Sequence, residues 1–467
     1  MPVAARPRPA IAALATALTG LVAAGLLAVL PAAESPYGIA ERLPLRPFLA
    51  MPPSASGALP RLLSQTGAFA DVGTLTTAPG LIPYEVNAAL WSDGAGKGRW
   101  MALPAGPDAQ GSGERIAFAA NGSWRFPSGT VFVKHFGLVL DEREPQRERR
   151  LETRLLVRAA DGGVYGVTYR WRGDGSDAEL LAGAEDEELS IRAADGSVRH
   201  QRWHYPGRDE CLRCHTANAG HVLGVSTRQL NRSALYPSGV RDQQLRTWNH
   251  LGLFDVALDE HGLDQLPRLV ALSDPQATAE ERVRSYLDAN CAFCHRPGGV
   301  GFSNFDARAE IPLADTNLVG GSVVIDHGID RARNLAAQDP WRSMVLIRME
   351  TDAELRMPPL ARNRIDKDAV VAVRAWIDQL PGKPGLPPPL ITPEAGHFAA
   401  PVQVAFSHPD AQATLRYTLD GSLPDKDSPS YDAPLTCTSS TMVRVRAYKN
   451  GHASSVVVNA LFQIDPR

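Results

Sequence analysis

Two copies of the pattern Cys-x-x-Cys-His constrain this chain more than any other feature. The first lies in DECLRCHTANAGH and the second in NCAFCHRPGG, and together they contain Cys211, Cys214, His215, Cys291, Cys294 and His295. The 467-residue chain has only five cysteines, so four of them fall into these two motifs. Such a motif is the attachment site of a c-type haem, but paired cysteines also form zinc sites and redox dithiols.

The spacing of the motifs favours haem over the other two chemistries. Cys291 follows Cys211 by 80 residues, whereas the cysteine pairs of a structural zinc site usually lie within a few tens of residues. Each motif has its own adjoining histidine, and neither follows a strand in the strand–helix alternation of a thioredoxin-like dithiol. We therefore predict two covalently attached haem c groups. The four motif cysteines would form the thioether bonds, and His215 and His295 would bind iron.

The N-terminal segment indicates export. Arg6 and Arg8 precede an uncharged apolar run, Ile11 to Leu30, and small residues follow in PAAESP. This order is typical of a secretory signal, although a run of this length also suits an uncleaved membrane anchor. We predict a periplasmic or otherwise exported protein, with residues 1–33 as signal peptide or anchor. A formal net charge of −3 gives no reason to expect nucleic acid as a partner.

The second motif stands in an order of elements that resembles a mono-haem class I cytochrome c domain. A helical pattern leads into the motif, the methionine of RMPPL lies 62 residues after His295, and another helical pattern follows. The resemblance implies that Met357 of RMPPL is the sixth iron ligand and that the carbonyl of Pro297 orients His295. Met344 and Met349, in WRSMVLIRM, are predicted to be core residues of a buried helix.

The sixth ligand of the first haem stays open at this point. No methionine lies between His215 and Cys291. The weak candidates for this ligand are His221 and His250. Further residues within reach along the chain are His261, His200, His204 and, from the preceding region, Met101. The question matters because haem chemistry takes place at an open or weakly held iron position.

Longer motifs extend the resemblance to a family. LIPYEVNAALWSDGAGKGRWMALP, FPSGTVFVKHF, WHYPGRDECLRCHTANAGHVLGVSTRQLNR, ANCAFCHRPGG and RMPPL together resemble a family of bacterial diheme c-type cytochromes, mostly uncharacterised. This resemblance implies two covalent haems and no established activity. The C-terminal LRYTLDGSLPDKDSPSYDAPL and VRVRAYKNGHASS resemble the small β-sandwich at the C-terminus of chitobiases and hexosaminidases, an accessory module there. Cys437 in this part is predicted to be a buried thiol in a strand.

The predicted fold class is multidomain α+β. It comprises a β-rich N-terminal domain, a mainly α-helical cytochrome c region with two haems, and a small C-terminal β-sandwich. Alternating runs such as TVFVKHFGLVL predict strands, and ATAEERVRSYLDAN and DKDAVVAVRAWIDQL predict helices. The predicted segments after the signal are a proline-rich linker 34–60, a β-rich domain 61–205, a first haem segment 206–273, a cytochrome c-like domain 274–380, a second linker 381–389 and the β-sandwich 390–467.

Electron transfer is the function that two covalent haems on an exported chain support best, with redox proteins as partners. No Gly-x-Ser-x-Gly, His-Glu-x-x-His or Walker-type loop competes with it. The alternative is a peroxidase-like diheme oxidoreductase whose first haem has an open site. A further alternative is an electron carrier that its β modules dock to a glycan or to the cell envelope.

Overall fold

A six-stranded antiparallel sheet dominates the N-terminal half of the computed structural model, which describes residues 35–105, 114–360 and 362–465. Two short strands, β1 (Phe69–Asp71) and β2 (Thr76–Thr77), pair with each other before it. The sheet then runs in chain order through β3 (Ile82–Pro83), β4 (Gly96–Ala102), β5 (Val131–Val139), β6 (Glu148–Arg158), β7 (Val164–Trp171) and β8 (Ala178–Leu180). The prediction of strands here is confirmed.

One face of this sheet forms a core with the segment that precedes it. Val133 and Val167 point into this core, where they meet Leu45, Leu49 and Met51. These three residues lie in the predicted linker 34–60, and each is less than 10% exposed. The segment therefore packs on the sheet and is not a free spacer, because burying its apolar side chains stabilises the folded state.

The opposite face of the sheet packs against the segment that carries the first motif. The hairpin β9 (Glu185–Arg192) and β10 (Val198–Tyr205) leads to this segment. Its elements are α1 (Arg208–Cys214), α2 (Thr227–Leu230), β11 (Ser233–Leu235), β12 (Arg241–Gln243) and α3 (Gln244–His250). Phe132 of β5 and Trp248 of α3 share a second core, so the sheet and this segment form one packed structure.

The second motif follows a helix, as the sequence predicts. The remaining helices are α4 (Ala279–Cys291), α5 (Met344–Glu350) and α6 (Lys367–Gln379). Thr278 and Asp366 cap α4 and α6 by accepting hydrogen bonds from backbone N–H groups in the first turn. Met344 and Met349 are buried in α5, which confirms the prediction of core methionines there.

The predicted mainly α-helical cytochrome c region is wrong. Within the described residues 28% lie in strands and 16% in helices, and no substantial helical region surrounds the motifs. Between the motif after α4 and the start of α5, the helical segments are the short 3-10 turns Leu313–Asp315 and Pro340–Arg342. The rest of this stretch is rich in Gly, Asn and Asp, whose side chains and backbone flexibility favour turns over helix.

The C-terminal part is a β domain of two sheets, as predicted. One sheet joins β13 (Leu390–Thr392), β15 (Val402–Ser407) and β17 (Leu435–Cys437), and the other joins β14 (Gly396–Phe398), β19 (Val458–Ile464), β18 (Thr441–Tyr448) and β16 (Thr414–Thr418). Their inner faces share one core that includes Val404, Val445 and Phe462. Cys437 is buried in this core as a free thiol, which confirms its predicted position.

The second predicted linker, 381–389, packs against both of its neighbours. The N–H of Gly385 donates to the carbonyl of Gln338, and the N–H of Leu386 donates to the carbonyl of Ala453. Leu386 is 2% exposed and belongs to the C-terminal core. Residues Pro36 to Arg467 accordingly form one compact unit.

The predicted signal peptide or anchor, residues 1–33, lies outside the described residues. None of the helices in the described part of the chain has the length and apolar character that crossing a membrane requires.

Candidate functional site

The first motif lies on a helix that touches the large sheet. Cys211 is on the second turn of α1, and it packs directly on Gly166 of β7, where a Cβ atom would lie 2.7 Å from the Cys211 Sγ. The sheet therefore requires glycine at this position for the helix to approach so closely. Glu210 accepts a hydrogen bond from the N–H of Gly207 (2.9 Å) and so stabilises the start of α1.

The second motif begins where α4 ends. Cys291 is the last residue of α4, and its carbonyl accepts from the N–H groups of Cys294 and His295 (3.0 and 2.8 Å), which curls the motif back on itself. Asn290 fixes this end of α4 against the loop that follows β3. Its amide donates to the carbonyl of Ala89 (3.2 Å) and accepts from the N–H of Trp91 (2.7 Å).

The two motifs meet each other directly. The side chain of Asn218 donates to the carbonyl of Pro297 (3.1 Å), and Arg296 donates to the carbonyl of Asn218 (3.4 Å). The thiols of Cys214 and Cys294 interact, and this contact, together with burial, raises the pKa of Cys214. Motifs that are 80 residues apart in sequence therefore present neighbouring cysteines.

Both motifs line one cavity of about 650 Å³. All four motif cysteines, His215, His295 and Met357 face it. Its further lining includes apolar residues of the sheet and of the loop after β3, among them Phe132, Leu156 and Trp91. The structure thus brings the predicted haem-attaching residues and the predicted ligand Met357 to one enclosed space.

Each motif histidine is oriented through its Nδ1 atom. His215 Nδ1 donates to the carbonyl of His221 (2.6 Å), and His295 Nδ1 is hydrogen-bonded to the hydroxyl of Ser303 (2.6 Å). The ring of Phe305 stacks on His295 with 4.8 Å between centroids. Burial lowers the pKa of both histidines to about 4, so each ring is neutral at pH 7.

This arrangement leaves the Nε2 atom of each ring without a hydrogen-bond partner among the described residues. A neutral imidazole whose Nδ1 is hydrogen-bonded and whose Nε2 is free suits metal ligation. The expected role of Pro297 is wrong. Its carbonyl accepts from Asn218, and Ser303 takes its place beside His295.

The other candidate ligands lie elsewhere. His221 does not line the cavity and contributes its backbone carbonyl. His250 stacks on Tyr37, with its Nε2 atom hydrogen-bonded to the carbonyl of Ala40 (2.8 Å). His204 lines the cavity, but hydrogen bonds to Asp186 and Glu210 occupy both of its ring nitrogens. Of the residues named earlier as within reach, His200 and His261 are exposed and Met101 is fully buried in the core.

The described residues contain no group of three or more His, Cys, Asp or Glu side chains placed to hold a metal ion.

Sequence reasoning missed the basic wall of the cavity. Arg99, Lys134 and Arg154 line it from three neighbouring strands, β4, β5 and β6. Within alternating strands a charged residue normally marks the solvent face, so charge alone does not indicate that these side chains line a cavity. The sequence does contain a signal in GKGRW and VKHF. Arg99 lies two residues from the buried Met101, and Lys134 lies two residues from the buried Phe132, so each cation is on the same face of its strand as a core residue.

The comparisons with known proteins concern the C-terminal part. Residues 393–459 match the chitobiase/beta-hexosaminidase C-terminal domain. The hexosaminidase-type C-terminal domain thus spans β14 to the start of β19. No curated protein and no solved structure matches the chain.

The residues that carried this resemblance behave as structural residues in the matched domain. Asp420 accepts hydrogen bonds from the N–H and the hydroxyl of Ser422 (2.9 and 2.6 Å), which closes the turn after β16. Tyr417 lies on β16 and packs against Phe406 of the facing sheet.

Proposed function

We propose that this chain is an exported electron-transfer protein with two covalently attached haem c groups. The convergence of two Cys-x-x-Cys-His motifs on one cavity, with each imidazole held at Nδ1, is the observation that supports it most. The cysteines of each motif would hold one haem, and His215 and His295 would each bind an iron. Met357 would be the sixth ligand of the second haem.

The residues of the cavity fit such a group. A bound haem c supplies an iron that changes between its ferrous and ferric states. The chain orients the two imidazoles, lines the site with apolar side chains such as Phe132 and Leu156 beside the basic wall, and places Cys214 next to Cys294. Neighbouring attachment sites suit the passage of an electron from one haem to the other within a single chain.

A haem count on the exported protein tests this proposal. We expect two haems per chain by pyridine haemochrome, one haem in Cys291→Ser, and two in the matched control Cys437→Ser, because Cys437 is buried far from either motif in the C-terminal core. A wild-type chain with fewer than two haems, or with bound zinc in their place, contradicts the proposal.

A specific observation favours a second function, a peroxidase-like oxidoreductase with an open first haem. Neither His221 nor His250 lines the cavity, and both nitrogens of His204 are engaged. Carbon monoxide distinguishes the two functions, since it binds reduced haem iron only where the sixth position is open or weakly held. A response from one haem supports the oxidoreductase, and no response supports electron transfer alone.

The C-terminal domain supports a further partner besides redox proteins. Its match to a domain of glycan-degrading enzymes hints at contact with carbohydrate, such as an envelope glycan. Retention of the full chain on insoluble chitin would support this contact, and free passage would contradict it.

A further inference from the structure

Three cations stand directly opposite one another across the central strands of the large sheet. Arg99 of β4 pairs in register with Lys134 of β5, and Lys134 pairs with Arg154 of β6. All three side chains lie on the face that lines the cavity. Like charges at directly opposed positions of a sheet are destabilising, so this row needs a compensating group.

The protein itself compensates only one of the three cations. Glu152, which is fully buried, binds Arg154 through two hydrogen bonds, one of them Nε to Oε2 at 2.8 Å. Within the described residues no carboxylate lies within ion-pair distance of Arg99 or Lys134. The guanidinium of Arg99 has a long hydrogen bond to the carbonyl of Lys97 (3.5 Å), and the amine of Lys134 lies 5.3 Å from the ring of Phe136.

Cations outweigh the Glu152 carboxylate at this wall. Burial lowers the pKa of Lys134 well below its ordinary value, and the charges of Arg99, Lys97 and Arg154 lower it further. Burial and the same two arginines lower the pKa of Lys97 to about 7. Taking charged groups out of water without partners is costly, and an anion placed in the cavity would remove that cost.

We propose that Arg99 and Lys134 bind carboxylate groups, and that these belong to the haem attached at Cys211 and Cys214. This inference rests on the proposed function. The row is close to the first motif, because Cys211 packs on Gly166 of β7, the strand next to β6. A haem c carries two carboxylates, which matches the two cations that lack a partner, and guanidinium and ammonium groups form strong hydrogen bonds with carboxylates.

The β-rich domain would thereby have a function that its strand pattern does not suggest. The sheet would bind the carboxylates of the first haem through Arg99 and Lys134, while Cys211 and Cys214 of α1 form its thioether bonds. The second motif and Met357 lie on α4 and on the loop before α6, where cations that line the cavity, such as Arg296 and Arg362, belong to loops and not to a row of opposed strand residues. The two haems would therefore differ in the charge around them and in their reduction equilibria.

Redox titration of three single variants tests the proposal. Lys134→Met and Arg99→Met each remove a charge from the row and keep an unbranched apolar side chain. The matched control is Arg158→Met on β6, four residues beyond Arg154, where the guanidinium binds the carbonyls of Phe126 and Gly163 and does not line the cavity. Haem counts on all four proteins come first, followed by the two midpoint potentials of each.

We expect two haems in every protein and a shift in only one of the two potentials. Removing a cation beside a haem favours its ferric state, so the reduction equilibrium of that haem should fall about tenfold, about 59 mV for one electron, in each row variant. Arg158→Met should leave both potentials unchanged. Two independent row variants keep the test valid if one of them folds poorly.

The source of the carboxylate is tested on the wild-type protein. Replacing chloride by acetate at constant ionic strength should leave both potentials unchanged if haem carboxylates occupy the row. A saturable shift with acetate would mean that the row takes its carboxylate from solution, which overturns the haem assignment. If every protein binds two haems and the row variants have the same midpoint potentials as Arg158→Met, the carboxylate assignment is wrong and the proposed function still stands. A wild-type chain with fewer than two haems contradicts the proposed function itself.

Discussion

Met357 reaches the cavity from the loop between α5 and α6, and its N–H donates to the carbonyl of Arg348 (2.9 Å). A thioether at the sixth position stabilises ferrous iron and blocks other ligands. We expect Met357→Ala to lower the potential of the second haem and to make that haem bind carbon monoxide in the reduced state. The spectrum of the reduced protein with and without carbon monoxide measures this.

The control for Met357 is Met349→Leu, because Met349 is 7% exposed in the core of α5. Leucine conserves most of the volume, so this variant should cost less than about 1.5 kcal/mol of stability and keep the carbon monoxide response of the wild type. If Met357→Ala also keeps that response, Met357 is not an iron ligand.

The two Cys-x-x-Cys-His motifs could be recognised from the sequence because each is contiguous. The groups that orient the histidines could not. The carbonyl of His221 reaches His215 through a backbone with φ of 65°, and Ser303 reaches His295 because the chain folds back after Gly301. Such contacts depend on loop geometry, which no local spacing encodes. The resemblance accordingly suggested Pro297 where the structure has Ser303.

At the scale of elements, the contact between α1 and β7 decides how the first motif is held. An alanine Cβ at Gly166 would lie 2.7 Å from both the Cβ and the Sγ atoms of Cys211, closer than atoms can pack. We expect Gly166→Ala to lower the free energy of unfolding by about 1–3 kcal/mol, since a methyl group in a filled contact forces the helix to move. Urea denaturation measures the loss.

Gly173→Ala is the control for this contact, because no atom lies within 4 Å of the position that its Cβ would take. The haem count should fall in Gly166→Ala, as Cys211 moves away from its position over the sheet, and stay at two in Gly173→Ala. Equal stability and equal haem counts in the two variants would mean that α1 tolerates a larger residue and is not fixed by this strand.

A histidine joins the β9–β10 hairpin to α1. Burial opposes protonation of His204, but the hydrogen bonds that the ring donates to the carboxylates of Asp186 and Glu210 outweigh it and raise the pKa of His204 above its ordinary 6.5. A pKa raised on folding stabilises the protein below the unfolded pKa, and this stabilisation is lost as pH rises through the folded value. We expect His204→Gln to be less stable than the wild type at pH 5, by up to about 1 kcal/mol for such a partly exposed cluster, and equally stable at pH 9.

Thermal unfolding at the two pH values measures the effect of His204. His200→Gln is the matched control, since His200 is exposed on the same strand beside Ser190. A deficit of the same size at both pH values would show that His204 acts through packing and not through its charge.

The element predictions succeeded where the sequence is periodic over many residues and failed where it is not. The apolar stripes of α4 and α6 identify them, because Val283, Leu287, Val373 and Ile377 all point into one core. The stretch between the second motif and α5 has no period, and turn hydrogen bonds such as that from Asn317 to the carbonyl of Asn304 fix its path. The wrong fold class came from the resemblance to a class I cytochrome c domain, which implied a mainly helical region around the motifs.

At the scale of the whole molecule, one carboxylate joins the stretch between the second motif and α5 to the hexosaminidase-type domain. Asp330 accepts from Arg446 of β18 at 2.6 Å, from Arg342 at 3.1 Å and from the N–H of Val457 at 3.2 Å. Arg342 also donates to the carbonyls of Ser454 and Ser455. The β-sandwich match could be predicted from sequence, but this docking could not, because a proline-rich segment between two domains usually indicates a spacer.

The docking predicts how the molecule unfolds. Asp330→Asn removes the carboxylate that pairs with Arg446 and that shares Arg342 with Asp339. Both arginines are less than 10% exposed, and breaking a buried pair in this way typically costs about 3–5 kcal/mol. We expect the wild type to unfold in one transition and Asp330→Asn to release the C-terminal domain at lower temperature, with proteolysis cutting within 381–389. The control is Asp326→Asn, since Asp326 is exposed and, among the residues that the structure describes, its carboxylate accepts only from the nearby N–H of Gly328. Separate unfolding of the domain in the wild type would show that the buried arginine network does not hold it in place.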